Sequence, residues 1–170
     1  MEILSTHYIA PCGTMRIATY GDTLVLCDWS SEQICRKIMR IEATLGTKLT
    51  KGISVLAQET MRQLDEYFAG QRQKFDLPLQ FIGSDFQKRV WQSLLSIPYG
   101  ETITYSEQSI RLGTPKSIRA IASANGANPI SVIAPCHRVI GKNGKLTGYA
   151  GGLDVKQFLL DLEMRSKQNL

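Results

Sequence analysis

The sequence predicts a two-part α/β protein, in which a strand-rich first part precedes a mostly helical second part. Its 170 residues are enough for one or two domains. Hydrophobic residues make up 43% and charged residues 21%, which are ordinary values for a globular protein. No apolar run approaches the ~20 residues that cross a bilayer, and the N-terminus lacks the pattern of a signal peptide. We therefore expect a cytoplasmic protein without a membrane partner.

The first part, residues 1–83, is predicted to combine a β-hairpin with helices. Two apolar-rich runs at residues 14–20 and 23–29 flank Gly21-Asp22, which suits a two-residue hairpin turn. Helical periodicity and an extended, proline-containing stretch follow. These predict helices at residues 31–45 and 54–69 and an edge strand or linker at 77–81. We place the boundary between the two parts near Gly83.

The second part, residues 84–170, is predicted to be mostly helical. Capping boxes begin at Ser84 and Thr104, and Pro115 suits the first position of a further helix. The predicted helices run from residue 84 to before 98, from 104 to 112, from 116 to 124 and from 154 to 165. Because a glycine-containing turn joins the second and third helices, we predict a helix-turn-helix.

The third of these helices carries Lys116, Ser117 and Arg119 near its start, where recognition helices contact DNA. Apolar pairs at 139–140 and 146–147 flank the sequence KNGK, and Asn-Gly is a strong hairpin signal. A basic hairpin after a helix-turn-helix resembles the wing of a winged-helix domain. The competing interpretation is a plain helical hairpin within a core.

The charge of the chain is concentrated in its second half. Lys and Arg total 20 and Asp and Glu total 15, a net charge of +5. Residues 1–85 hold 9 basic and 10 acidic side chains, whereas residues 86–170 hold 11 basic and 5 acidic ones. This asymmetry favours a polyanionic partner for the second half, although a solubilising surface would look the same.

Cys136 and His137 are adjacent and form a candidate nucleophile and base. An imidazole can accept the proton that a thiol must lose to become a nucleophile, either directly or through a water. A third group should orient the histidine, and Asp161 and Glu163 both lie on the last predicted helix. The other cysteines, with His7, match no common zinc spacing, so no metal is predicted. They are Cys12, Cys27 and Cys35.

The segment PCHRV at residues 135–139 resembles the active-site motif of the O6-alkylguanine-DNA alkyltransferases. Other segments resemble that family in the same order and spacing across residues 84–165. They are PYGET at 98–102, TY at 104–105, RA at 119–120, NP at 128–129 and GYAGG at 148–152. The resemblance implies a ribonuclease-H-like α/β domain followed by a winged-helix catalytic domain.

The resemblance also implies direct DNA repair without a cofactor. An alkyl group would pass irreversibly from O6-alkylguanine, and possibly O4-alkylthymine, to Cys136 after nucleotide flipping. His137 would accept the thiol proton through a water, and Glu163 would orient His137. Tyr105 would help supply a proton to the departing guanine. The partner would be double-stranded DNA, bound by a monomer in the cytoplasm or, in a eukaryotic cell, the nucleus.

Further roles follow from the same resemblance. Arg119 would fill the space left by the flipped nucleotide, and Asn128 would tie the turn after the recognition helix to the active site. The remaining positions divide into DNA contacts and a base pocket. They are Thr104, Lys116 and Ser117 for DNA, and Val139, Tyr149, Ala150 and Gly151 for the pocket. Where some members carry tryptophan, Gly151 predicts a wider pocket that accepts bulky adducts. Asn125 departs from the apolar residue of some members.

Two other classes of function remain open from the sequence. A winged-helix regulator or a lesion sensor would bind DNA without alkyl transfer, although such sensors lack the reactive cysteine. A Cys-His hydrolase would use the same two residues in multiple turnovers, but would not need a DNA-binding unit. Alkyl transfer to the protein distinguishes the repair hypothesis from both.

Overall fold

The structure is a computed structural model that describes residues 1–168. The first part contains four strands and two helices: β1 (Ile3–Ala10), β2 (Gly13–Tyr20), β3 (Thr23–Trp29), α1 (Ile34–Leu45), β4 (Leu49–Lys51) and α2 (Val55–Phe68). The strands form a mixed sheet in the order β3-β2-β1-β4, in which only the β1–β4 pair is parallel. The predicted hairpin and both helices are confirmed, whereas β1 and β4 were not predicted.

The second part is mostly helical: α3 (Asp85–Leu94), β5 (Ile103–Thr104), α4 (Tyr105–Arg111), α5 (Ile118–Gly126), β6 (Val139–Ile140) and α6 (Leu153–Gln168). Ser84 and Gln87 form the predicted capping box of α3, and Thr104 caps α4. The predicted start of α5 was wrong. Its first helical residue is Ile118, because Ser117 N donates to Thr114 O and places Pro115 inside a turn instead.

The predicted wing hairpin is not formed within the described residues. Asn143 and Gly144 do adopt positive φ, as an Asn-Gly turn requires, and Gly141 N donates to Lys145 O at 2.7 Å. However, β6 pairs in parallel with β5, and no strand follows the turn up to residue 168. The carbonyl of Thr147, which a hairpin ladder would use, accepts from Lys156 Nζ instead.

The edge of β3 that does not pair with β2 contacts segments from both parts of the chain. Residues 77–81 are extended as predicted, and Leu79 forms a single bridge with Leu24 of β3. Farther along the same edge, Cys27 forms a parallel bridge with Ile130. One hydrophobic core includes side chains from the sheet, α2, α6 and residues 130–133. The sheet therefore supports the segment that leads to Cys136.

The described residues also bear on membrane spans and on metal binding. No helix within residues 1–168 has the length and apolar character needed to cross a membrane. All four cysteines are free, and the described part of the chain holds no group of three His, Cys, Asp or Glu side chains placed to bind a metal ion.

Candidate active site

The segment from residue 128 to 139 is buried throughout and contains two very tight turns. Ile133 N donates to Ser131 O at 2.8 Å, which closes a γ-turn around Val132 with a φ of 71°. Cys136 N donates to Ala134 O at 2.8 Å, which closes a relaxed γ-turn around Pro135. A β-branched residue at positive φ costs about 1–3 kcal/mol, so the turn at Val132 is strained.

Asn128 ties this segment together from its first residue. Its Nδ2 donates to Ala134 O at 2.9 Å, and its Oδ1 accepts from Ile130 N at 2.9 Å. Burial raises the pKa of the Cys136 thiol, and the nearby Asn128 side chain partly opposes this shift. Asn128 therefore connects the end of α5 to the segment that leads to Cys136.

Two charged side chains of the first part hold the same segment from the sheet side. Asp28 Oδ1 accepts from Ser131 Oγ at 2.7 Å, and its Oδ2 pairs with Lys37 Nζ at 2.6 Å. Lys37 Nζ also donates to Asn128 O at 3.0 Å. The Asp28 side chain is fully buried and that of Lys37 is 9% exposed. The ion pair is therefore an internal contact between α1, β3 and the reactive segment.

Cys136, His137 and Arg138 form a short 3-10 turn, in which His137 and Arg138 both reach Glu163 of α6. His137 Nε2 lies 2.6 Å from Glu163 Oε2, and Arg138 Nε donates to Oε1 at 2.8 Å. Tyr67 Oη and Gly100 N donate to the same carboxylate. Every part of Glu163 that can accept a hydrogen bond is thus in use, which fixes the histidine ring.

The protonation states follow from burial and from this network. Burial raises the pKa of the Cys136 thiol and lowers that of His137. Burial would raise the pKa of Glu163, but the charges and hydrogen bonds of His137 and Arg138 hold it well below its usual value. Because Glu163 is ionised, His137 Nε2 carries the proton. Nδ1 is then a free acceptor, with no hydrogen-bond partner among residues 1–168.

A narrow pocket of about 20 Å³ opens onto Cys136. Its lining residues come from α1, α4, the end of α5, the reactive segment and the loop before α6: Lys37, Tyr105, Asn125, Gly126, Asn128, Ser131, Cys136, Gly148, Tyr149 and Ala150. Tyr105 Oη accepts from Thr147 Oγ1 at 3.2 Å, and Tyr149 Oη accepts from Trp29 Nε1 at 2.9 Å. A single water needs about 10–15 Å³. In this structure the pocket therefore has room for a water molecule but is too small for a nucleobase.

The start of α5 is exposed, at the opposite end of the helix from the Asn125 and Gly126 that line the pocket. Lys116 and Arg119 are exposed, and Ser117 is half-buried at the cap of the helix. Thr104 is half-buried, and its Oγ1 accepts from Glu107 N. Three of these predicted DNA-binding residues therefore lie together at one helix end, whereas the hydroxyl of Thr104 caps α4.

The two parts of the chain match two models of one protein family. Residues 3–81 match the ribonuclease-like domain of 6-O-methylguanine DNA methyltransferase, and residues 85–165 match its DNA-binding domain. The chain belongs to this methyltransferase family.

Individual relatives agree with this assignment. A methylated-DNA–protein-cysteine methyltransferase of Methanosarcina barkeri is 58% identical over 106 residues, which are 62% of this chain and 67% of that protein. The crystal structure of Mycobacterium tuberculosis OGT in complex with DNA is 39% identical with a TM-score of 0.82, covering 96% of this chain and 94% of that one. The Mycobacterium tuberculosis O6-methylguanine methyltransferase is 38% identical with a TM-score of 0.80, covering 97% and 93%.

Within this methyltransferase fold, the predicted base-pocket residues are only partly brought together. Tyr149 and Ala150 line the pocket, whereas Val139 and Gly151 are not among its lining residues. Gly151 lies against the Trp29 ring, where an added Cβ would come within 2.8 Å of ring atoms. Any side chain at 151 would therefore disturb the loop itself, which weakens the prediction that Gly151 simply widens the pocket.

The structure separates the two carboxylates that the sequence offered and places further residues at the site that the sequence did not predict. Asp161, the alternative to Glu163, is exposed and accepts from Gln157. Tyr67 and Arg138 share the Glu163 carboxylate, but a core tyrosine gives no sequence signal. Arg138 follows His137 directly, and that adjacency was a signal that could have been used. Asp28 and Lys37 carry no sequence signal beyond those of ordinary strand and helix residues. Lys156 was also not predicted; it is buried against Tyr105, with Nζ 5.9 Å from the ring centre.

Proposed function

We propose that this protein repairs DNA by transferring an alkyl group from O6-alkylguanine, and from O4-alkylthymine if its base fits, to Cys136. One observation carries the proposal. A buried cysteine adjoins a histidine whose Nε2 is held 2.6 Å from an ionised carboxylate, and residues of α4 and α5 line the pocket that contains the cysteine. The family assignment supports the same reaction, because its relatives are methylated-DNA–protein-cysteine methyltransferases.

The chemistry begins with the thiol proton. Because burial raises the pKa of Cys136, the thiol is protonated at rest and needs a base. His137 Nδ1 accepts that proton through a water, while Glu163 stabilises the imidazolium that results. The Cys136 sulfur then attacks the alkyl carbon, and the bond from that carbon to O6 breaks with its electrons passing to the guanine. The thioether is stable, so each molecule reacts once.

Tyr105 is suited to donate a proton to the leaving guanine. Its hydroxyl oxygen accepts from Thr147 Oγ1, so its own hydrogen is free for a substrate atom. Burial raises the pKa of Tyr105, which keeps the phenol protonated at neutral pH. A proton donor near the ring lowers the barrier for a poor leaving group.

A base in the duplex cannot reach Cys136, so the nucleotide must flip. Arg119 is exposed at the start of α5 and has the length to occupy the vacated space. Lys116, Ser117 and Thr104 would contact the DNA backbone beside it. Because the closed pocket holds only about 20 Å³, we infer that the loop carrying Tyr149 and Ala150 moves outward as the base enters.

The remaining expectations belong to the same proposal. The division near Gly83 would separate a ribonuclease-H-like domain from a catalytic domain of the winged-helix class, with the wing reduced to its Asn143-Gly144 turn. Val139 and Gly151 would meet the base only after the loop opens. A monomer suffices because a lesion has no two-fold symmetry, and the protein would act without a cofactor wherever its DNA lies, in the cytoplasm or the nucleus.

Intact-mass spectrometry after incubation with DNA containing O6-methylguanine tests the function. We expect the mass of one methyl group on Cys136 and none on the Cys136→Ser variant, because a hydroxyl is far less acidic than a thiol. Exposed Cys35 offers the matched control, and Cys35→Ser should react like the unmodified protein. Binding without a mass change would indicate a lesion sensor, and repeated turnover would indicate a hydrolase.

A further inference from the structure

We propose that Asp28 and Lys37 are positioning residues for alkyl transfer, because their ion pair holds the strained turn at Val132 that places Cys136. The proposal rests on the proposed function of Cys136. It gives the first part of the chain a direct effect on the reactivity of a cysteine that lies in the second part. Neither residue is proposed to touch the alkyl group or the thiol.

The first step is the geometry of the ion pair. Asp28 lies near the end of β3, and Lys37 reaches it from α1 at 2.6 Å. Each partner also holds the reactive segment: Asp28 through the hydroxyl of Ser131, and Lys37 through the carbonyl of Asn128. The pair therefore makes hydrogen bonds to Asn128 and Ser131, the first and fourth residues of the segment.

These hydrogen bonds oppose the backbone strain at Val132. Ser131 and Ile133 close the γ-turn in which Val132 has a φ of 71°. Because a β-branched side chain disfavours this φ, the turn persists only where the surrounding structure imposes it. Cys27 contributes with its backbone, accepting from Ser131 N at 2.7 Å and donating to Pro129 O at 2.9 Å. The buried carboxylate of Asp28 adds the side-chain contact beside the strained residue.

A short buried segment connects the turn at Val132 to the Cys136 thiol. Only three residues separate Val132 from Cys136, and the segment between them is buried and tied to Asn128 through Ala134 O. A change in the direction of the chain at Val132 must therefore move the Cys136 sulfur relative to His137. His137 itself is fixed independently by Glu163 of α6, so the two groups would lose their alignment.

Replacing the carboxylate tests this directly. Asp28→Asn keeps the shape of the side chain but removes the charge that pairs with Lys37. We expect the rate constant of alkyl transfer to fall on the order of tenfold, because small displacements of reacting groups are costly. The Kd for alkylated DNA should stay unchanged. Glu66→Gln, which removes a carboxylate from an α2 ion pair with Arg62, is the matched control and should react normally.

A second substitution distinguishes positioning from loss of stability. Glycine adopts positive φ without strain, so Val132→Gly should keep the turn without the ion pair. In the Asp28→Asn background it should restore most of the lost transfer rate, even though removing a buried valine lowers the melting temperature. Val132→Ala removes the same methyl groups but retains Cβ, so it should restore much less. A double variant Asp28→Asn/Val132→Gly no faster than Asp28→Asn would overturn the proposal.

A measurement without DNA separates this proposal from the repair function. Iodoacetamide alkylates thiols directly, and peptide mass spectrometry gives the labelling rate of Cys136 with exposed Cys35 as an internal reference. Labelling at Cys136 should slow in Asp28→Asn and recover with Val132→Gly, whereas Cys35 should not change. If the unmodified protein takes no alkyl group from DNA, the repair function fails while this order of rates still tests the ion pair. Equal labelling of all variants would refute the positioning role.

Discussion

At the scale of single residues, Glu163 is the side chain on which the site depends most. Its carboxylate accepts hydrogen bonds from His137, Arg138, Tyr67 and Gly100 while being 1% exposed. Arg138 is itself buried, and its other contacts are the carbonyl of Ile97 and the face of Tyr99. The same carboxylate therefore neutralises a buried guanidinium and orients the His137 imidazole.

Replacing Glu163 with glutamine should destabilise the whole protein. Removing one partner of a buried ion pair leaves the other charge uncompensated, which costs about 3–5 kcal/mol. Urea unfolding of Glu163→Gln should show this loss in the free energy of unfolding. Glu59→Gln, at an exposed pair with Arg62, is the control and should change it little. An unchanged midpoint for Glu163→Gln would mean that Arg138 finds another partner.

The pH dependence of stability should show the same network in two steps. Burial lowers the pKa of His137 in the folded state, so below about pH 6.5 the unfolded chain binds more protons and stability falls. Glu163, whose folded pKa is lowered, contributes stability that is present above about pH 4.3 and is lost as the pH falls further. Urea unfolding should therefore give constant stability above pH 6.5 from these two groups and declining stability below it.

Two histidine variants assign the first step. His137→Gln should flatten the decline between pH 5 and 6.5, where one group contributes as much as ~1.4 kcal/mol per pH unit. His7→Gln, at an exposed position on β1, is the control for replacing a histidine. A decline that survives in His137→Gln would place the titrating group elsewhere.

At the scale of elements, α4 and α5 are joined by a buried pair of amides. Asn125 Nδ2 donates to Gln108 Oε1 at 2.7 Å, and Gln108 Nε2 donates back at 3.3 Å. A buried polar side chain is tolerated at position 125 because its partner is a polar residue on the neighbouring helix. The pair fixes how the two helices of the DNA-binding unit meet.

A double-mutant cycle should reveal this dependence. Asn125→Leu leaves the Gln108 amide buried without its partner, which costs about 1–3 kcal/mol. Replacing both by leucine removes the unsatisfied groups, so the double variant should recover much of the loss in urea unfolding. Ser123→Ala, at an exposed position of the same helix, is the control. Additive losses would show that the two amides act independently.

Elements with local signals were predicted well from the sequence. Capping residues located α3 and α4, and apolar periodicity located α2 and α6, because these signals act within a few residues. Strand β1 was missed although it pairs along its whole length with β2. The predicted hairpin after β6 was wrong, because its Asn-Gly turn forms but a turn signal does not reveal that β6 pairs with β5 instead.

The site was predicted unevenly for a related reason. The adjacency of Cys136 and His137 suggested a nucleophile and a base, the resemblance selected Glu163 over Asp161, and the structure brings Cys136, His137 and Glu163 together. The turn at Val132 could not be predicted, since valine normally disfavours positive φ and only the surrounding fold imposes it. Asp28 and Lys37 lie 91 or more positions from the residues they hold, so no local pattern connects them.

At the scale of the whole molecule, the small volume around Cys136 has a consequence for a protein that keeps what it removes. Once the sulfur carries an alkyl group, the closed pocket of about 20 Å³ must contain it or stay open. Overpacking a well-packed site costs about 1–3 kcal/mol, and the cost grows with the added group. Because the pocket has room for a group the size of a water, the melting temperature of the spent protein should change little after methyl transfer and fall after benzyl transfer.

Calorimetry of protein reacted to completion, with Cys136→Ser incubated alongside, would measure the difference. Equal melting temperatures before and after benzyl transfer would mean that the loop closes over any adduct. With the expected shifts, the melting temperature of each spent molecule would depend on the size of the alkyl group that it received. The same tight closure that shields the unused thiol would make the used protein the less stable of the two.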